Sequence, residues 1–163
     1  MNIPHRNPLK YRAYVDGLRA VAVLPVLFFH ADLGFTGGYV GVDIFFVISG
    51  FLITSLILKD VNAGQFSFVK FWERRVLRIM PAATVVVLVS LVAGWFLLLP
   101  QGFKELGESA VAQTSISSNI YFWIKSWIGA GYFTPAAEVK PLLHTWSLSV
   151  EEQFYLVWPW LVL

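Results

Sequence analysis

Arg19 and His30 stand near the two ends of GLRAVAVLPVLFFH, residues 17–30, an otherwise apolar stretch. Eleven residues of helix turn through about 1100°, about 20° past three full turns, and rise about 16 Å. The two side chains therefore share one face. Asp16 precedes Arg19 by three residues, an ion-pair spacing. Ionisable groups inside a membrane segment are costly, and they usually face a cavity or a partner. Imidazole can act there as general base or as nucleophile near neutral pH. The competing reading makes Arg19 and His30 interfacial anchors, one at each end of a spanning helix. Pro25 lies between them, removes one backbone donor and predicts a kink.

Two further stretches carry groups that could do chemistry. In WERRVLRIMP, residues 72–81, Arg75 and Arg78 are three apart and lie on one side of a helical turn. Paired guanidinium forks suit phosphate groups. The plainer alternative is cytoplasmic anchoring by positive charge. Pro81 then reads as a first-turn proline opening the next helix. In LLHTWSLSVEEQFYLVWP, residues 142–159, Ser149 and Glu152 have capping-box spacing. A first-turn carboxylate also suits the helix dipole. That accounts for one glutamate. Glu151 and Glu152 together, beside His144, Trp146 and Tyr155, equally suit a carboxylate that orients a catalytic base. Ser49 is no nucleophile elbow, because Val47 stands where that motif needs glycine.

The elements that must position these groups are membrane helices. The 163 residues are 57% hydrophobic and only 13% charged, with a mean hydropathy of +0.66. A soluble domain carries roughly 25% charged residues. There is no cysteine, so disulfides, thiolate catalysis and cysteine metal sites are excluded, and no metal is expected. The net charge of +2 comes from basic residues at membrane edges, so no nucleic-acid partner is expected. Four apolar segments stand out, at about 13–33, 39–58, 79–103 and from about 149 onwards. About 20 apolar residues cross a bilayer. The expected fold is all-α, a polytopic membrane helix bundle with about four membrane-associated helices. Residues 104–143 are too polar to face lipid and read as interfacial, re-entrant or buried among other helices. Residues 1–12 read as a retained cytoplasmic leader and 59–78 as a cytoplasmic basic loop, by the positive-inside rule.

In this order, LRAVAVLPVLFFH, GGYVGVDIFFVISGFLIT, RRVLRIMPA and LLHTWSLSVEEQFYLVWP resemble the acyltransferase 3 family of integral membrane O-acyltransferases. The resemblance spans nearly the whole chain and identifies 1–163 as the N-terminal part of a longer, truncated domain. It implies transfer of an acyl group, acetyl from acetyl-CoA, to a hydroxyl of an extracytoplasmic acceptor such as a surface polysaccharide. It makes His30 the essential histidine and Arg19 its partner; the reading of the residues themselves adds Asp16, Glu151 and Glu152 to that catalytic set. Arg75 and Arg78 would meet the phosphates of the acyl-CoA donor. The implied location is the bacterial inner or plasma membrane, multi-pass, with the N-terminus in the cytoplasm. The competing classes are a proton-coupled transporter or sensor fragment, in which the same stripe would relay protons, and a non-catalytic helix bundle.

Overall fold

The computed structural model describes residues 13–128 and 140–163. The expected leader, with Arg6, Lys10 and Arg12, lies outside the described residues, as does 129–139 of the polar segment. Among the described residues six helices follow one another: α1 Ala13–His30, α2 Val40–Asn62, α3 Phe68–Leu97, α4 Pro100–Thr114, α5 Ser118–Trp127 and α6 Thr145–Val162. No strand occurs among the described residues, so the protein is all-α. Three helices, α1, α2 and α3, are long and apolar enough to cross a bilayer. Their apolar side chains remain largely exposed. On α3, Val85, Val89, Val92, Trp95 and Phe96 all stand out from the fold. A soluble surface does not carry such a continuous apolar band; this is a membrane protein.

The helix ends share one device. After α2, Gly64 takes φ +63°, Gln65 N–H donates to the Asp60 carbonyl at 2.9 Å, and Gly64 N–H donates to that of Val61 at 2.8 Å. These are the paired bonds of a Schellman ending. The same pair closes α1, with Asp32 in the left-handed position (φ +54°), and closes α4, with Ile116 there (φ +56°). Glycine takes that conformation freely and aspartate tolerates it; a β-branched isoleucine is strained. α4 begins differently: Leu99 is extended, as a residue before proline must be, and Pro100 opens the first turn.

The chain divides into two compact units, Met1–Ser55 and Leu56–Leu163. In the first, α1 packs on the start of α2 at glycine contacts. A Cβ on Gly38 would lie 2.1 Å from the Pro25 carbonyl oxygen, and one on Gly41 would lie 2.1 Å from that of Ala22. Small residues let two helix backbones approach this closely in lipid. The GGYVG motif is therefore a packing surface, and Ala22 is wholly buried beneath it.

In the second unit α3, α4, α5 and α6 surround a small core of Val87, Leu106, Ala110 and Leu142. Gly94 admits Leu106, whose Cδ2 would lie 2.4 Å from a Cβ at that position. The described part of the polar segment forms α4 and α5, packed among α3 and α6. Glu108 on α4 joins Lys125 on α5 at 2.9 Å and accepts the Tyr121 hydroxyl at 3.0 Å.

Two sequence expectations are corrected here. Residues 59–78 are not a loop: α2 continues to Asn62 and α3 starts at Phe68, so Lys70, Arg74, Arg75 and Arg78 lie on the first turns of α3. The charges made this stretch look like a connection, yet it has good helix formers and no glycine or proline between Phe66 and Met80. Pro81 is accordingly inside α3 and not at its start. Likewise α6 starts at Thr145, four residues before Ser149, so Ser149 and Glu152 form no capping box.

Two outcomes follow. Replacing Gly41 by alanine must push α1 and α2 apart, with a loss of about 1–3 kcal/mol; the thermal midpoint in detergent falls, whereas Gly17→Ala, at an open position, leaves it in place. The hydrogen bonds from Lys125 and then Tyr121 hold the Glu108 carboxyl below its ordinary pKa. A depressed folded-state pKa contributes stability above the unfolded value, and that stability is lost as pH falls through the folded one. Acid titration of stability should therefore show a step below about pH 4.5 that Glu108→Gln removes; an unchanged acid limb would contradict this pairing.

Candidate active site

In the first unit, His30 is the last residue of α1 and is exposed. Its Nδ1 lies 2.7 Å from the Val26 carbonyl oxygen, one turn earlier. A carbonyl only accepts, so Nδ1 carries a proton, and in the neutral ring the lone pair is on Nε2. Fixing one ring nitrogen by a hydrogen bond is how a protein selects the tautomer that can act as base. The edge of the imidazole also packs against Phe29, with ring centres 5.2 Å apart.

Arg19 is on the same helix, eleven residues before His30. It makes no ion pair with Asp16 among the described residues. Its guanidinium instead lies 5.3 Å from the centre of the Phe45 ring on α2. Cation–π contact with a ring keeps a charge in an apolar setting while leaving the fork's edges available. Asp16 is exposed.

The second unit brings three of the predicted residues together. Arg75 on α3 is half-buried, with its guanidinium 5.6 Å from the Phe71 ring centre and 5.8 Å from that of Tyr155 on α6. The Tyr155 hydroxyl donates to the Glu151 carboxylate one turn earlier. Glu152, only 6% exposed, faces a cleft of about 370 Å³ that Arg75, Trp72, Tyr155 and Ile116 also line. Arg75 Nε and Glu152 Oε2 are both buried without a hydrogen-bond partner among the described residues. No ion pair joins them there. Arg78 is exposed on the next turn of α3.

A proline explains how this cleft is held. Pro159 has no N–H, so the Tyr155 carbonyl four residues before it lacks its helical donor. The Trp72 indole N–H fills the place at 3.1 Å and ties α3 to α6 beside Arg75. Behind the cleft lies a polar seam. Ser118 on α5 and Ser149 on α6 are wholly buried, with their hydroxyls 2.7 Å apart, and Ser118 also donates to the Thr145 carbonyl at 2.9 Å. Gln153 pairs with Asn119 and donates to the carbonyl of the strained Ile116 at 2.8 Å. In a buried setting each of these groups must find a partner.

The sequence reasoning missed Trp72, Gln113, Ser118 and Asn119. For Trp72 a signal existed: a proline inside a helix orphans the carbonyl four residues earlier, and a long donor is needed to meet it. No spacing rule pointed to Ser118, because its partners are on another helix.

Apolar spanning helices, a tautomer-fixed histidine at the end of one, and a separate arginine–glutamate cleft define a membrane protein equipped for polar chemistry. The acyltransferase domain family matches residues 12–163, and the chain belongs to it, in agreement with the resemblance to acyltransferase 3. It is 40% identical over 156 residues to peptidoglycan O-acetyltransferase OatA of Listeria monocytogenes, covering 94% of this chain and 24% of that protein. It is 40% identical over 157 residues to the putative peptidoglycan O-acetyltransferase YrhL of Bacillus subtilis, covering 92% and 23% respectively. With O-acetyltransferase OatA of Staphylococcus aureus it shares 38% over 153 residues, 92% of this chain and 24% of that protein. The chain thus spans about a quarter of the length of these relatives. No solved structure matches it.

The Trp72–Tyr155 bond makes a double-mutant prediction. Trp72→Phe should lower stability by about 1 kcal/mol or more by orphaning the Tyr155 carbonyl. In a Pro159→Ala background, where the helix supplies its own N–H, the same change should cost measurably less. Equal losses in both backgrounds would show that the indole only fills space.

Proposed function

We propose that the protein carrying this chain is a membrane O-acetyltransferase that moves an acetyl group from acetyl-CoA to a hydroxyl of an extracytoplasmic acceptor. Peptidoglycan is the favoured acceptor, since the relatives' names specify it. The observation that carries the reading is the 2.7 Å contact of His30 Nδ1 with the Val26 carbonyl oxygen, which in the neutral ring puts the proton on Nδ1 and the lone pair on Nε2.

In this reading His30 Nε2 takes the proton of the acceptor hydroxyl as its oxygen attacks the thioester carbonyl. The C–S bond breaks, and the imidazolium returns the proton to the leaving thiolate. The two-step variant has Nε2 itself attack the thioester and pass the acetyl group on from an acyl-imidazole. Arg19 is the cationic partner on the same helical face, about 16 Å before His30 along the axis. Asp16 has a supporting electrostatic role only. Glu151 acts through Tyr155, and Arg75 and Arg78 serve the donor from the cytoplasmic side, where acyl-CoA is made. The positive-inside rule supports that orientation, since Lys59, Lys70, Arg74, Arg75 and Arg78 cluster there and residues 31–42 carry no lysine or arginine.

His30→Ala in the full-length protein should reduce acetylation of peptidoglycan by about 100-fold or more at normal protein levels. His30→Gln should do nearly the same, because an amide can accept the Val26 contact's place but cannot cycle a proton. Acetylation that survives both changes would overturn the assignment.

A further inference from the structure

The α3–α6 cleft is built around two buried groups that the fold leaves unsatisfied. Arg75 offers an Nε–H with no acceptor, and Glu152 offers an Oε2 with no donor. Both residues line the same cleft, yet no ion pair joins them among the described residues. A buried polar atom without a partner carries a cost that a ligand can remove. The rest of the lining is apolar or aromatic: Trp72, Val76, Ile79 and Leu156. The cleft therefore asks for a slim, mostly apolar group that presents one donor and one acceptor. A secondary amide does so, with N–H and C=O on opposite edges of one plane.

The proposed donor carries such groups. The pantetheine arm of acyl-CoA is an apolar chain interrupted by two amides, lying between the phosphates and the thioester. A phosphate would be poorly received, since Glu152 would face it as a second anion. Arg75 and Arg78 thus part company: Arg78, exposed on the next turn, is placed for phosphate, and Arg75, half-buried between the rings of Phe71 and Tyr155, is not.

We propose that the α3–α6 cleft is the docking site for an amide of the donor's pantetheine arm, with Glu152 accepting its N–H and Arg75 Nε donating to its carbonyl. This rests on the reading of acyl-CoA as donor. Trp72 and Tyr155 wall the site, and the Trp72 bond to the Tyr155 carbonyl sets its width. The seam of Ser118 and Ser149 behind Glu152 holds α6 so that the carboxylate stays in the cleft.

The test compares two phosphate-free donors on the purified full-length protein in detergent. Acetyl-pantetheine has both amides; S-butyl thioacetate is a thioester with none. The wild type should prefer acetyl-pantetheine, measured as the ratio of kcat/KM values. Glu152→Gln, which keeps the shape and removes the charge, should cut that preference about tenfold. Arg75→Lys, which keeps the charge and removes the Nε–H, should cut it similarly, and it guards against a Glu152 variant that fails to fold. A preference unchanged in either folded variant overturns the amide site while leaving acyl-CoA as donor. A wild type that uses acetyl-CoA but shows no preference for the amide-bearing thioester overturns it as well. A wild type that uses no thioester at all, acetyl-CoA included, overturns the donor reading, and the amide site falls with it.

Discussion

A polar group that leaves water for a helix bundle must be met by another polar group of the chain, and this one constraint governs the molecule. It is visible wherever a proline breaks the backbone ladder or a polar side chain enters an apolar helix. The Trp72 indole answers the carbonyl that Pro159 abandons. Ser118 and Ser149 answer one another across α5 and α6. The His30 ring answers the Val26 carbonyl, and in doing so its proton is committed to Nδ1. The same bond that satisfies the backbone selects the form of imidazole that can take a proton at Nε2. Packing and chemistry are here one interaction.

The exceptions are as informative as the rule. Arg75 Nε, Glu152 Oε2 and, on α4, Gln113 Nε2 remain without partners among the described residues, whereas Gln153 reaches the carbonyl of Ile116. Ile116 itself is held at φ +56°, a strained conformation for a β-branched residue, and it lines the same cleft. Strain and unmet hydrogen bonds tend to gather where a fold has been shaped for something other than its own stability. The tight glycine contacts of α1 with α2 work in the opposite sense. Gly38 and Gly41 bring backbones together without any side chain between, which fixes the stretch of α1 that leads to His30.

Much of this was legible in the sequence, and the parts that were not have a common cause. Hydropathy located α1 and α2 to within a few residues, because a spanning helix is an uninterrupted local signal. The four motifs in order pointed to the family that residues 12–163 match. The start of α3 was misplaced because five basic residues in a row of twenty look like a connection, although a helix carries charges on its first turns without difficulty. The capping box at Ser149 failed for the reverse reason: the local pattern was correct but the helix had already started at Thr145, and tertiary packing used Ser149 for Ser118 instead. The Asp16–Arg19 pair was a spacing argument, and Arg19 found the Phe45 ring on a neighbouring helix. Contacts between helices are not written in any single segment. Every missed residue, Trp72 and Ser118 above all, belongs to that class.

The central claim is the protonation of one ring. In full-length protein labelled with ¹⁵N at histidine, the His30 signals, assigned by difference against His30→Gln, report which nitrogen bears the proton. The account predicts that the neutral ring carries its proton on Nδ1 and its lone pair on Nε2. A neutral ring protonated on Nε2 instead would contradict it, because the Val26 carbonyl would then have no donor and the catalytic lone pair would point into its own helix.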